Sequence, residues 1–188
     1  LELSPEHPEG LRAMRRLLVA RGDGTVLARL APSILAVLDD PAERRALLHE
    51  VATLLDERLA DPLGAAVWLR RAYDLLGDET AVAALHYLAE RSGNWEPVLQ
   101  TWRDVRQRAT TPAAAVAAAR ESAWIAAECL AAPELAFEEL QQVLPLASDS
   151  AELWEDLERL AALCHREPDL LQLLDQLIQG TEEALPRE

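Results

Sequence analysis

The chain has 188 residues and a mass of 20.7 kDa, enough for one or two domains with a real core. Leucine and alanine supply 36 and 34 of these residues, against 20 Val, Ile and Thr together, and there are only seven glycines. Ala and Leu lose little freedom in a helix while β-branched residues are stiff at χ1, so sheet sandwiches, barrels and doubly wound folds are set aside. All 18 basic residues are arginine against 33 acids, a net charge of −15, which argues against a nucleic-acid binder or a protein docked on an anionic membrane.

In chain order, the sequence predicts ten helices at roughly 5–20, 24–38, 42–59, 62–76, 79–92, 95–108, 112–131, 133–146, 150–165 and 168–179. Their starts are signalled chemically. Ser4-Pro5, Asp40-Pro41, Asp61-Pro62 and Thr111-Pro112 each put a capping side chain before a proline of the first turn. Gly22 and Gly93 fall between helices, where a positive φ is often needed.

The helices repeat in pairs. A shift of 71 carries Pro41 to Pro112, Glu50 to Glu121, Pro62 to Pro133, Leu69 to Leu140 and Gly22 to Gly93; a shift of 72 carries Leu85 to Leu157. Half of that period is marked by an anchor with apolar residues four and seven positions later. It reads Leu27-Ala31-Ile34, Ala65-Leu69-Ala72, Val98-Trp102-Val105, Ala136-Leu140-Val143 and Leu170-Leu174-Leu177. Each trio lies on one helical face. An earlier helix precedes each anchor, with apolar faces such as Leu11-Met14-Leu18, Val82-Leu85-Ala89 and Trp154-Leu157-Ala161. Five units follow, about 4–40, 41–77, 78–110, 111–148 and 149–180, as one domain over 1–180 with an acidic tail at 181–188.

Trp154-x-x-Leu157 in a first helix, and Ala65, Leu69, Ala72 and Gly77 in a second, resemble the tetratricopeptide repeat family. A related helical repeat of the half-a-tetratricopeptide or HEAT type gives a similar trace. The resemblance covers about 170 residues. It implies an all-α, right-handed α-solenoid of about five helical hairpins, whose inner groove is lined by the first helices and commonly binds a peptide or helix of another protein.

In that register the groove displays Glu9, Arg12, Arg16 and Val19, then His49, Thr53, Asp56 and Glu57, then Ala83, Tyr87, Glu90 and Arg91. It continues with Arg120, Trp124, Ala127 and Glu128, and ends with Glu152, Glu155 and Arg159. The candidate partner-binding residues are Arg12, Arg16, His49, Tyr87, Arg91, Arg120, Trp124 and Arg159. Arginine forks suit carboxylates and aromatic rings anchor interfaces, so a partner segment carrying acidic and apolar groups is the expectation. The alternative keeps the rings inside the repeats and the arginines on nearby acids. The last predicted helix is apolar around more than one face, with Leu173 and Leu177 as candidates for self-association into a homo-oligomer, or for continuation of a longer repeat array.

Residues 111–188 carry 16 acids and four arginines, against 17 and 14 in residues 1–110, so an acidic C-terminal surface is expected, serving solubility or, in a sharper reading, repelling wrong partners and steering a basic one. No phosphate loop, nucleophile elbow or metal-ligand spacing occurs: His7, His49, His86 and His165 have no ligand partner beyond the adjacent Cys164, which points elsewhere. No enzyme activity, cofactor or metal is therefore expected. Glu138-Glu139 is expected to be a solvated face, the five tryptophans inter-repeat core, and Cys129 and Cys164 buried reduced thiols. No stretch is long enough to span a membrane. The absence of lysine hints at a GC-rich bacterial genome, and a cytoplasmic location is expected. The start at Leu1, with Met14 the sole methionine, suggests an excised segment.

Overall fold

The computed structural model describes the backbone of residues 7–184 and the side chains of residues 7–179. Ten α-helices and no strand occur among the described residues. They are α1 (Pro8–Arg21), α2 (Gly24–Val37), α3 (Pro41–Leu59), α4 (Pro62–Leu76), α5 (Glu79–Ser92), α6 (Glu96–Arg108), α7 (Pro112–Trp124), α8 (Pro133–Gln141), α9 (Ala151–Cys164) and α10 (Glu167–Ala184). The described residues are all-α, with most helices packed on the next one in the chain. It divides into two compact units, Leu1–Val98 and Leu99–Glu188, with the division inside α6.

The start signals work as polar caps. Asp40, Asp61 and Thr111 accept from the backbone N–H groups of Ala42, Gly64 and Ala114 at 3.0, 2.8 and 3.2 Å. The Ser4-Pro5 start lies outside the described residues; α1 begins at Pro8 with His7 before it. Gly22 and Gly93 close α1 and α5 at φ 69° and 74°. Three other residues take the same left-handed conformation without glycine's freedom: Ala60, Ala131 and His165. Ala60 and Ala131 are 71 residues apart, the period of the sequence. The bonds around them match too, Asp61 N–H to Leu55 O at 2.9 Å and Ala132 N–H to Ala126 O at 2.8 Å. The duplication thus extends to backbone conformation.

Two helices end differently from expectation. α7 passes into a π-helical turn, Ile125–Cys129, closed by Leu130 N–H on Ile125 O. α8 stops at Gln141 and is followed by a 3₁₀ turn, Leu144–Leu146, because Pro145 has no N–H to continue it. The interior Pro32 of α2 is tolerated because it faces solvent while Leu27, Ala31 and Ile34 are fully buried. α10 runs to Ala184, so the first four residues of the expected tail are helical and the rest lies outside the described residues.

In the first unit α1 packs on α2, α2 on α3, α3 on α4 and α4 on α5. The core alternates small and large residues, with Ala31, Ala65, Ala72 and Ala81 beside Leu27, Ile34, Leu47, Leu48 and Leu85. Gly24 lets α2 touch α3: a Cβ there would lie 3.0 Å from that of Leu54. In the second unit α8 packs on α7 and α9, and α10 on α9. Phe137, Leu140, Leu153 and Leu157 form its centre.

Three of the five expected anchor trios are buried throughout; in the third Val98 is buried while Trp102 and Val105 are half-buried, in the last Leu174 is exposed, and Met14 of α1 is exposed too. The tryptophans are not core residues. Trp68, Trp95, Trp102 and Trp154 are half-buried and Trp124 is 48% exposed. The indole N–H needs a partner: Trp154 donates to Ser148 O at 2.8 Å near the surface while its ring packs against the core of the second unit. Cys129 and Cys164 are not joined in a disulfide and are half-buried rather than fully enclosed, and burial followed by the charge of Glu134 pushes the Cys164 thiol up.

Candidate functional site

Within each unit, ion pairs join first helices about one repeat apart. Arg15 of α1 forks onto both oxygens of Glu50 in α3 at 2.7 and 2.9 Å. Arg91 of α5 reaches back to Asp56 of α3 at 2.7 Å. Arg120 of α7 bridges Glu152 and Asp156 of α9 at 2.7 and 3.0 Å. These pairs hold neighbouring first helices side by side and leave clefts between them.

Three clefts result. One of about 550 Å³ between α1 and α3 is lined by Arg12, Arg15, Arg16, Val19, Glu43 and Glu50. One of about 150 Å³ between α3 and α5 holds His49, Thr53, Asp56, Glu57 and Tyr87. One of about 390 Å³ between α7 and α9 holds Arg120, Glu121, Trp124, Glu128, Asp156 and Arg159. The candidate residues therefore do collect on first-helix faces. Their arginines are mostly engaged within the chain. Arg12 lies 3.9 Å from Glu43, Arg91 and Arg120 are paired as above, and Arg159 is 3.6 Å from Asp156. Arg16 alone of these arginines has no ion-pair partner among the described residues. A groove offering several open guanidinium forks to an acidic partner is not what the geometry presents.

His49 is also occupied. Its Nε2 is 2.7 Å from Asp78, the residue that caps α5. Asp78 is only 2% exposed and also takes the Thr80 hydroxyl at 2.7 Å and Arg45 at 3.3 Å. Burial alone would raise its pKa, but the hydrogen bonds from Thr80 and His49, with the charges of His49 and Arg45, outweigh it and hold the carboxyl below its usual range.

The second unit has its own buried carboxylate, and it corrects the expectation of a solvated Glu138-Glu139 face. Glu139 is 1% exposed, with Arg103 at 2.7 Å and Arg106 at 2.5 Å on its two oxygens. Glu138 points the other way, 3.4 Å from Arg166, whose guanidinium lies 4.7 Å from the centre of the Phe137 ring.

Buried positions fix which residues of α5 and α7 correspond. Ala81, Val82, Leu85, Leu88 and Ala89 are buried in α5, and Ala118, Ala119, Ser122, Ile125 and Ala126 are buried along α7 and its π turn, each 37 residues later. By that spacing Tyr87 corresponds to Trp124, and Arg91 to Glu128. Tyr87 is 60% exposed, so the two equivalent aromatic rings both stand at clefts rather than in cores. Arg91 lays its guanidinium 5.3 Å from the centre of the Tyr87 ring while Asp56 holds it from the other side. The residue pattern alone singled out both rings. The groove register read from the sequence already sets Arg91 against Glu128, and the buried positions have the same spacing.

The chain aligns over 98% of its length with the whole of a crystal structure from Podosopora anserina, a kinesin light chain of nearly identical TPR-like repeats, at 15% identity and a TM-score of 0.42. No protein-family model matches the chain, and no curated protein does. No described helix is long and apolar enough to cross a membrane, and no group of three or more His, Cys, Asp or Glu among the described residues is placed to hold a metal ion.

Proposed function

We propose that the chain is a non-catalytic interaction scaffold whose first-helix clefts receive an extended segment or a helix of a partner protein. One observation carries this reading. At equivalent positions of successive first helices, Tyr87 and Trp124 are large aromatic side chains left about half exposed, each at a cleft rimmed by charge. Aromatic rings so placed supply contact area at little entropic cost and are common anchors of interfaces. The candidate set Arg12, Arg16, His49, Tyr87, Arg91, Arg120, Trp124 and Arg159 then divides into anchors (Tyr87, Trp124) and charges that shape the clefts around them.

A photo-crosslinking amino acid at position 87 or 124, compared with the same group at exposed Leu63 or Val67 of α4, tests the reading in lysate of the source organism. A shared protein crosslinked from 87 and 124 and absent from 63 and 67 is the expected result. Equal crosslinking from all four positions contradicts it.

A second reading, association of two copies, rests on α10. Leu171, Leu174 and Ile178 are 64%, 38% and 53% exposed at helical spacing, whereas Leu173 and Leu177 are half-buried against the core of the second unit. It predicts a dimer that dissociates when Leu171 and Ile178 become glutamate, read by sedimentation.

A further inference from the structure

We infer that copies of this chain join head to tail, with the last described helix of one copy, α10, seated on the first, α1, of the next. This rests on the reading that copies associate through α10, and it names the face that receives that helix.

The first helices share a buried register. Leu18, Leu55, Ala89, Ala126 and Ala161 fill one buried position along α1, α3, α5, α7 with its π turn, and α9. Four residues before them stand Met14, Val51, Leu85, Ser122 and Leu157. The last four are fully buried, while Met14 is 43% exposed. One residue before them stand Leu17, Leu54, Leu88, Ile125 and Leu160. Only Leu17 of these is exposed, at 46%. In α3, α5 and α9 the preceding second helix packs on the first: α2 on α3, α4 on α5 and α8 on α9. α1 is the first helix described, and its two apolar side chains at those positions stand open.

α10 holds the opposite half of such a joint. Leu174 corresponds to Ala31, Leu69 and Leu140 of the anchor trios, all buried, yet it is 38% exposed. Leu171 follows the anchor Leu170 as Ala66, Leu99 and Phe137 follow theirs. Those three are buried, whereas Leu171 is 64% exposed. Outer faces of terminal repeats are ordinarily polar. Here both carry core residues at core positions.

Charge decides what covers them. α1 carries Arg12, Arg15, Arg16 and Arg21 against Glu9, whereas residues 167–179 carry Glu167, Asp169 and Asp175 and no basic residue. The opposite charges lie on the open faces themselves. Arg21 stands one turn after Leu17, and Glu167 and Asp175 stand one turn before and after Leu171. None of these three has an ion-pair partner among the described residues. Two copies of α10 face to face would oppose acids to acids, and two copies of α1 would oppose arginines. α10 on α1 sets acids against arginine. The α2–α3 joint supplies the alignment. There Gly24 lies against Leu54, and the corresponding residues are Glu167 and Leu17, which brings Glu167 within about one turn of Arg21.

The test is sedimentation velocity of the 188-residue chain at about 0.1 mM, since a joint of one helix pair is at the small end of specific interfaces. Two double variants remove the apolar side chains without changing charge: Met14→Gln/Leu17→Gln and Leu171→Gln/Leu174→Gln. The native chain is expected to associate, about threefold less tightly when salt is raised from about 0.05 M to about 0.5 M. Each variant alone is expected to stay monomeric with unchanged circular dichroism. Mixed in equal amounts they should form a one-to-one complex and nothing larger, because one intact α10 and one intact α1 remain. That complex also shows that both variants are folded. If the α1 variant alone still dimerises and the α10 variant does not, α10 pairs with α10. That result overturns the head-to-tail joint and leaves the association of copies standing. Association of both variants like the native chain, or a mixture that stays monomeric while the native chain assembles, also overturns the joint. A native chain that stays monomeric overturns this inference and the α10 reading together, while crosslinking from positions 87 and 124 judges the scaffold reading separately.

Discussion

Among the described residues, the two units solve the same structural problem twice and differ in the charge beside an equivalent aromatic ring. Each buries a single acidic side chain and answers it with basic neighbours: Asp78 with His49 and Arg45 in the first unit, Glu139 with Arg103 and Arg106 in the second. Each sets one large aromatic ring at the edge of a cleft between first helices. Around Tyr87 the charges close on themselves through Arg91 and Asp56. Around Trp124 the arginine is replaced by Glu128, and the cleft is wider, about 390 Å³ against about 150 Å³. The lesson is that repeats which share buried positions and turns can still diverge in the charges set around an equivalent ring.

The sharpest way to break the parallel between the buried carboxylates is to remove one. Glu139→Ala leaves two half-buried guanidinium groups facing each other without their counter-ion and should cost about 3 kcal/mol, read as a fall in the urea midpoint. Asp78→Asn should cost less, about 1–2 kcal/mol, because an amide still caps α5 and the neighbouring Arg45 is half exposed. Its signature is in pH. The folded carboxyl is held below its ordinary value, so its contribution is present above about pH 4 and is lost as pH falls through the lowered pKa. Stability of the native chain should therefore drop on acidification below about pH 4, and the Asn variant should show a shallower drop. Equal slopes would remove the Asp78 node from the account.

A smaller effect tests the duplication itself. Ala60 and Ala131 both hold left-handed backbone with a Cβ attached, at φ 50° and 51°. Glycine at either site relieves that strain, and each replacement should raise stability by about 0.5–1 kcal/mol in thermal unfolding. Gains of similar size at both sites support equivalent turns; a gain at one and a loss at the other would show that the turns only look alike.

Much of the fold was legible because its signals are local. Asp40-Pro41, Asp61-Pro62 and Thr111-Pro112 announce helix starts by a cap and a missing donor, and the apolar trios declare a face by period alone. What escaped was what depends on neighbours far along the chain. Glu139 looks like half of a solvated pair until Arg103 and Arg106 arrive from 33 to 36 residues upstream. Ala60 and Ala131 carry no glycine to betray a positive φ, although the period of 71 pairs them. The tryptophans were expected inside because indole is largely apolar, yet each keeps part of its surface in solvent, where a polar N–H such as that of Trp154 finds a backbone partner. The candidate residues were legible as positions on first helices, but the pairing of Arg91 and Arg120 was not, because their acids lie 32 to 36 residues away along the chain.

The central claim of the scaffold proposal is that the exposed rings of Tyr87 and Trp124 anchor a partner protein. Affinity capture from lysate of the source organism, with the native chain and the Tyr87→Ala/Trp124→Ala double variant side by side, tests it most directly. The account predicts a protein retained by the native chain and lost by the double variant, with circular dichroism unchanged. Retention of the same protein by both would contradict it.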